Sequence, residues 1–134
     1  MGASWKRLFD GVEALPGAER LEMFVKGYLS KAHRDGNAEG CPLPAIVGEI
    51  ATVAPEHRDA LAQSTEPVVQ RLAELLPEVD GRSDARLLAV GLLALLYGGL
   101  SLSRAVQDSA LSDEILEACR RLSELAIRPE ELDP

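Results

Sequence analysis

The stretch Leu87–Ser103, LLAVGLLALLYGGLSLS, carries no charge and is apolar on nearly every side of a helix. Its 17 residues fall short of the ~20 that a membrane span needs, and Arg86 and Arg104 bracket it. It reads instead as a helix buried in protein. At roughly 100° per residue, Leu87, Gly91, Leu95, Gly98 and Leu102 form one stripe, and Ala89, Leu93, Leu96 and Leu100 form the opposite one. A chain of 134 residues covers one stripe with its own helices, so the other needs a partner. Gly91 and Gly98 share a stripe and let a second backbone approach closely. The expectation is an obligate dimer, with the glycine stripe at its seam.

Length and composition set the frame around this helix. A single domain of this size buries somewhat over ~65% of its unfolded surface, enough for a core. Hydrophobic residues make up 46% and aromatics only 4%, so that core is built from Leu, Ala and Val. Acidic residues outnumber basic ones, 22 to 14, for a net charge of −8. Phosphate backbones demand a basic face, and the densest basic clusters are the pairs Lys6-Arg7 and Arg120-Arg121. The expectation is no nucleic-acid binding by this chain alone, and no membrane. Cys41 and Cys119 make no disulfide framework. The first fifteen residues hold Trp5, Lys6, Arg7, Asp10 and Glu13 rather than an apolar signal core, so a cytoplasmic location is expected.

Helical periodicity recurs along the chain, and no segment alternates with period two. Trp5, Leu8, Phe9 and Val12 give a first short helix ending before Pro16. Leu21, Phe24, Val25, Tyr28 and Leu29 give a second, carrying Lys31, His33 and Arg34 in its last turn, with Gly36 as a left-handed stop. A third begins at Cys41-Pro42 and ends near Ala54. A fourth runs from about His57 to Leu76, with a kink or break expected near Ser64–Glu66 because of Pro67. Ser83 caps the long helix, which runs to Asp108, and Ser112 caps the last. That last helix has Leu111, Ile115, Ala118, Cys119, Leu122 and Ala126 on its apolar side, and the tail from Arg128 frays. The fold class is all-α, six or seven helices in a bundle.

Chemistry-bearing patterns are sparse. The only histidines, His33 and His57, lie on separate helices, and no acid–base pair or nucleophile triad follows from spacing. His33, Asp35 and Cys41 lack zinc-site spacing, and Gly98-Gly99 lies within a helix rather than after a strand. Glu13 with Arg20, and Glu114 with Arg121, read as solvated faces. No catalytic residue, metal or cofactor is expected, and an all-α enzyme using His33 or His57 is the weakest alternative. The few aromatics, Trp5, Phe9, Phe24, Tyr28 and Tyr97, sit on apolar stripes. They either pack as core or line a cavity between helices.

Two segments carry a family resemblance. HRDGNAEGCPLPAIVGEIA (His33–Ala51) and YGGLSLSRAVQDSALSDEIL (Tyr97–Leu116) resemble the C-terminal domain of tetracycline-repressor (TetR) family regulators. The matching features are Tyr28-Leu29-Ser30, His33-Arg34 and Gly40-Cys41-Pro42-Leu43. They are followed by Ser103-Arg104-Ala105-Val106, Asp108 and Ser112. Their order and spacing cover the chain from about Glu19 to Leu125. The resemblance implies that the last two helices pair with their copies in a homodimeric four-helix bundle. Leu87, Gly91, Leu95, Gly98, Leu102, Ile115, Cys119 and Leu122 are then the expected interface. It also implies that the middle helices enclose a pocket for a small-molecule effector that shifts DNA-reading heads. Trp5, Phe9, Phe24, Tyr28, Val47, Ile50, Leu72 and Tyr97 are the expected lining, and Pro67 reshapes the pocket wall. Family members carry an N-terminal helix-turn-helix for which these residues leave no room. Ser4 to Leu15 look like the end of the helix that joins the two halves. The chain is then either a cut-out domain or a protein without its DNA-binding head. The competing expectation is a ligand-free scaffold that pairs with itself or with a full-length relative.

Overall fold

The computed structural model describes residues 9–11, 15, 17–36, 43–52, 54–76 and 84–128. Among these, six α-helices and one 3-10 turn account for the regular structure, and there is no strand. The helices are α1 (Gly17–Tyr28), α2 (Lys31–Asp35), α3 (Leu43–Thr52), α4 (Arg58–Leu75), α5 (Ala85–Ala105) and α6 (Ser109–Ile127); the turn is Pro55–His57. The all-α class is as expected, and residues 9–11 are helical too.

Helix α5 is the axis of the fold. It packs against α6, α4, α3, α2 and α1, while α1 also closes on α6 and α4. The reason is its sequence: Ala89, Leu93, Leu96 and Leu100 form an unbroken apolar stripe, and all four are buried. Against it lie Leu21, Phe24, Val25 and Tyr28 of α1, at helical spacing, and Val68, Val69, Leu72 and Leu75 of α4. Each such side chain contributes about 1.5–3 kcal/mol when fully buried. Truncating Leu96, which is 0% exposed, is expected to cost about 2–5 kcal/mol. The aromatics join this core. The rings of Phe9 and Phe24 stack at 4.5 Å, and Tyr28 continues the row toward Tyr97.

Several helix ends differ from the sequence expectation, each for a visible reason. The second helix does not run through Arg34. It stops at Tyr28, and Ser30 takes an extended conformation whose hydroxyl accepts from the His33 amide, starting α2. Distant arginines hold that break open. Arg120 donates to the Leu29 carbonyl at 2.7 Å, and Arg104 to those of His33 and Arg34. Gly36 is extended (φ −80°, ψ 110°), not left-handed. Helix α3 starts at Leu43 with Pro44 in its first turn and ends at Thr52. Pro67 does not break α4, which is continuous around it.

The residue before α5 is Asp84, which makes no side-chain capping bond. Helix α5 ends at Ala105, and the cap of α6 is Asp108, which accepts from the Leu111 amide. Ser112 instead lies inside α6, buried, and donates to the Ser103 carbonyl at 2.6 Å. Arg121 pairs with Glu117 rather than Glu114, and Arg128 is anchored to Glu22 of α1. Trp5, Glu13, Cys41, Pro42 and Ser83 lie outside the described residues.

With 21 residues and an 18-residue window of mean hydropathy 1.8, α5 is long and apolar enough by composition to cross a membrane. Counted from Ala85 to Ala105, the helix is not too short for a span, so length does not exclude one. What places α5 in a protein core is its cover. One face is packed by the chain's own helices, and Arg86 and Arg104 are tied to Glu66 and to α2 carbonyls.

Candidate functional site

Helix α5 carries a third stripe, between its core face and its bare face. Val90, Leu93, Ala94, Tyr97 and Ser101 recur at helical spacing and form one wall of a groove of about 550 Å³. Helix α4 supplies the other wall with Leu61, Thr65 and Val69, spaced four apart, and Val47 of α3 closes one side. The lining is mostly apolar. Thr65 turns its hydroxyl onto the Leu61 carbonyl at 2.7 Å, leaving its oxygen lone pairs toward other donors. Five of these residues also line a second cavity of about 470 Å³, which continues toward the start of α4 and adds Ile50, Ala51, Arg58, Ala62, Glu66 and Arg86. Arg86 donates to both Glu66 carboxylate oxygens, at 2.7 and 3.0 Å, across this end. That bond holds the Glu66 carboxyl below its ordinary range.

A bare apolar face lies beside the groove. Leu87 is 73% exposed and Leu102 54%; Gly91 and Gly98 face outward with nothing within 4 Å of where a Cβ would stand. On α6, Leu111, Leu122 and Leu125 are exposed, and Leu122 is 56% exposed. Three residues, 106–108, link α5 to α6, so the packed pair runs antiparallel. The two helices meet where Gly99 faces Cys119. Gly98 and Leu102 stand at offsets of −1 and +3 from Gly99, and Ala118 and Leu122 stand at the same offsets from Cys119. In antiparallel right-handed helices, equal offsets fall on the same side of the pair. The outward residues therefore make one continuous surface of uncharged side chains. Ala94 and Gly98 belong to it and to the groove wall.

Of the expected lining residues, Val47 and Tyr97 line the groove and Ile50 its extension. Phe9, Phe24, Tyr28 and Leu72 are buried in the core behind it, and Trp5 lies outside the described residues. Pro67 is exposed on α4 and does not line the groove. Of the expected interface residues, Leu87, Gly91, Gly98, Leu102 and Leu122 are exposed, and Leu95 and Ile115 are half-buried. Cys119 points inward, onto Gly99, and burial pushes its thiol pKa up. Neither histidine lines the groove or its extension. His33 donates from Nδ1 to the Tyr28 carbonyl at 2.7 Å, and His57 is exposed in the 3-10 turn. Among the described residues no group of three metal-capable side chains comes together.

Residues 17–119 match the family model for the tetracyclin repressor-like C-terminal domain. The chain belongs to that family. No curated protein matches it. Tetracyclin repressor-like C-terminal domains are regulatory modules, and the match runs from the first residue of α1 to the Cys119 contact within α6. It therefore contains every helix that lines the groove.

Proposed function

We propose that the chain is the effector-binding and dimerisation domain of a cytoplasmic TetR-like transcriptional regulator. A small, largely apolar ligand binds in the α3–α4–α5 groove of each subunit, and two subunits pair through the bare α5–α6 face. The observation that carries this reading is the three-sided use of α5: core, groove and an uncovered apolar surface. Its 21 residues span ~30 Å at 1.5 Å per residue, and α6 lies about 10 Å away. The pair offers ~600 Å² per subunit, or ~1,200 Å² in a two-fold dimer, which is the lower end of stable interfaces. Because Ala94 and Gly98 belong to both surfaces, a ligand that fits one arrangement of α5 better than another biases the dimer geometry by population shift. A DNA-reading head joined to the domain would sense that bias. With a net charge of −8, the domain itself has little to offer phosphates.

The test is thermal stabilisation of the purified chain by a panel of lipophilic compounds, alongside light scattering. Ligand-dependent stabilisation together with a dimeric mass supports the reading. A stable monomer at micromolar concentration would defeat the dimer, and a dimer stabilised by no compound would favour the ligand-free scaffold.

A further inference from the structure

The groove has a charged end that a purely apolar ligand leaves unused. Of its three charged residues, Glu66 and Arg86 satisfy each other, whereas Arg58 stands apart. Every other described arginine donates to a carboxylate or a backbone carbonyl: Arg20, Arg34, Arg71, Arg86, Arg104, Arg120, Arg121 and Arg128. Arg58 has no such bond among the described residues, in a chain where acids outnumber bases 22 to 14. It is also the first residue of α4, where the positive end of the helix dipole disfavours a cation. Arg58 thus presents an exposed guanidinium that no described side chain engages, at the end of an apolar groove.

The groove's shape narrows the occupant. Along α5 its lining runs from Arg86 to Ser101, a rise of ~22 Å, so the space is elongated. We infer that it takes a linear aliphatic carboxylate, with the head group on the Arg58 guanidinium and the hydrocarbon chain running along Leu61, Val69 and Leu93 toward Tyr97. The guanidinium fork matches a carboxylate in geometry and charge. The net charge of −8 repels anions at long range, so a preference for an anion has to be made locally, at this end. The inference rests on the groove being the effector site.

The experiment titrates the intact chain, below micellar concentrations, with dodecanoate, dodecanol and dodecylammonium. Dodecanoate is expected to bind about tenfold more tightly than dodecanol, the scale of one charge-assisted hydrogen bond. Arg58→Glu should abolish that advantage while dodecanol still binds the variant as it binds the parent, which also shows the groove intact. Equal binding of acid and alcohol, tighter binding of dodecylammonium, or a preference that survives Arg58→Glu overturns the inference and leaves the groove as a neutral-ligand site. Failure of all three amphiphiles to bind overturns the inference and the effector site together.

Discussion

His33 is held between two demands. Its Nδ1 donates to the Tyr28 carbonyl, and its ring meets the Tyr28 ring edge-on at 4.8 Å. Burial, and then the nearby Arg104 charge, outweigh that hydrogen bond and push its pKa below the ordinary histidine value of 6.5. The folded state thus prefers the neutral ring. Stability is complete above pH 6.5 and falls as pH drops from there through the lowered folded value, because the unfolded chain takes up a proton that the folded chain refuses. Urea midpoints at pH 7.5 and 5.5 should show a decline that His33→Gln flattens; an unchanged decline would remove His33 as its cause. Gly99 makes the second residue-scale point. A Cβ there would stand 2.7 Å from Cys119 Sγ and 3.3 Å from Leu29 Cδ2. Gly99→Ala is expected to destabilise by about 1–3 kcal/mol, and adding Cys119→Ala should recover part of that in denaturant unfolding. The spacing of Gly91 and Gly98 points to close approach along their stripe, but within the chain the tight contact is at Gly99. Glycine spacing identifies a stripe and does not say which neighbour covers the next position round the helix.

Helices were legible and their ends were not. The apolar repeats of α1, α4, α5 and α6 place these elements because burial of a periodic face outweighs local preference. The ends are decided by partners far away in sequence. Arg104 and Arg120 take the carbonyls around the α1–α2 break from 70 to 91 positions downstream, a pairing no local motif encodes. The start of α6 shows the same limit, since Asp108 and Ser112 are both good cap types. Ser112 is drawn inward by the Ser103 carbonyl and Arg34. Asp108→Ala should cost about 1 kcal/mol, a typical cap loss, measured as a lowered urea midpoint. Asp108→Ser should restore most of it. If Ser112 were the cap, Asp108→Ala would be neutral.

At the scale of the whole molecule, the groove was half legible. The aromatics were the natural lining candidates, but large rings close the core first, and Phe9, Phe24 and Tyr28 lie behind the groove. Its wall is the stripe Val90, Ala94, Tyr97 and Ser101. That stripe follows the same period as the other two and is masked by their stronger apolar signal. The bare face makes a prediction of its own. Leu122→Glu places a charge on the proposed seam, so light scattering should show a monomer with helical circular dichroism retained; a dimer unaffected by the change would move the interface elsewhere. One further consequence concerns time rather than affinity. A three-residue link closes the α5–α6 hairpin at small entropic cost. The Glu22–Arg128 pair, by contrast, must bring together residues 106 positions apart. The hairpin should therefore form early and α1 dock late. Kinetic analysis of Leu100→Ala and Leu21→Ala tests this order: the first should slow folding, and the second should mainly speed unfolding.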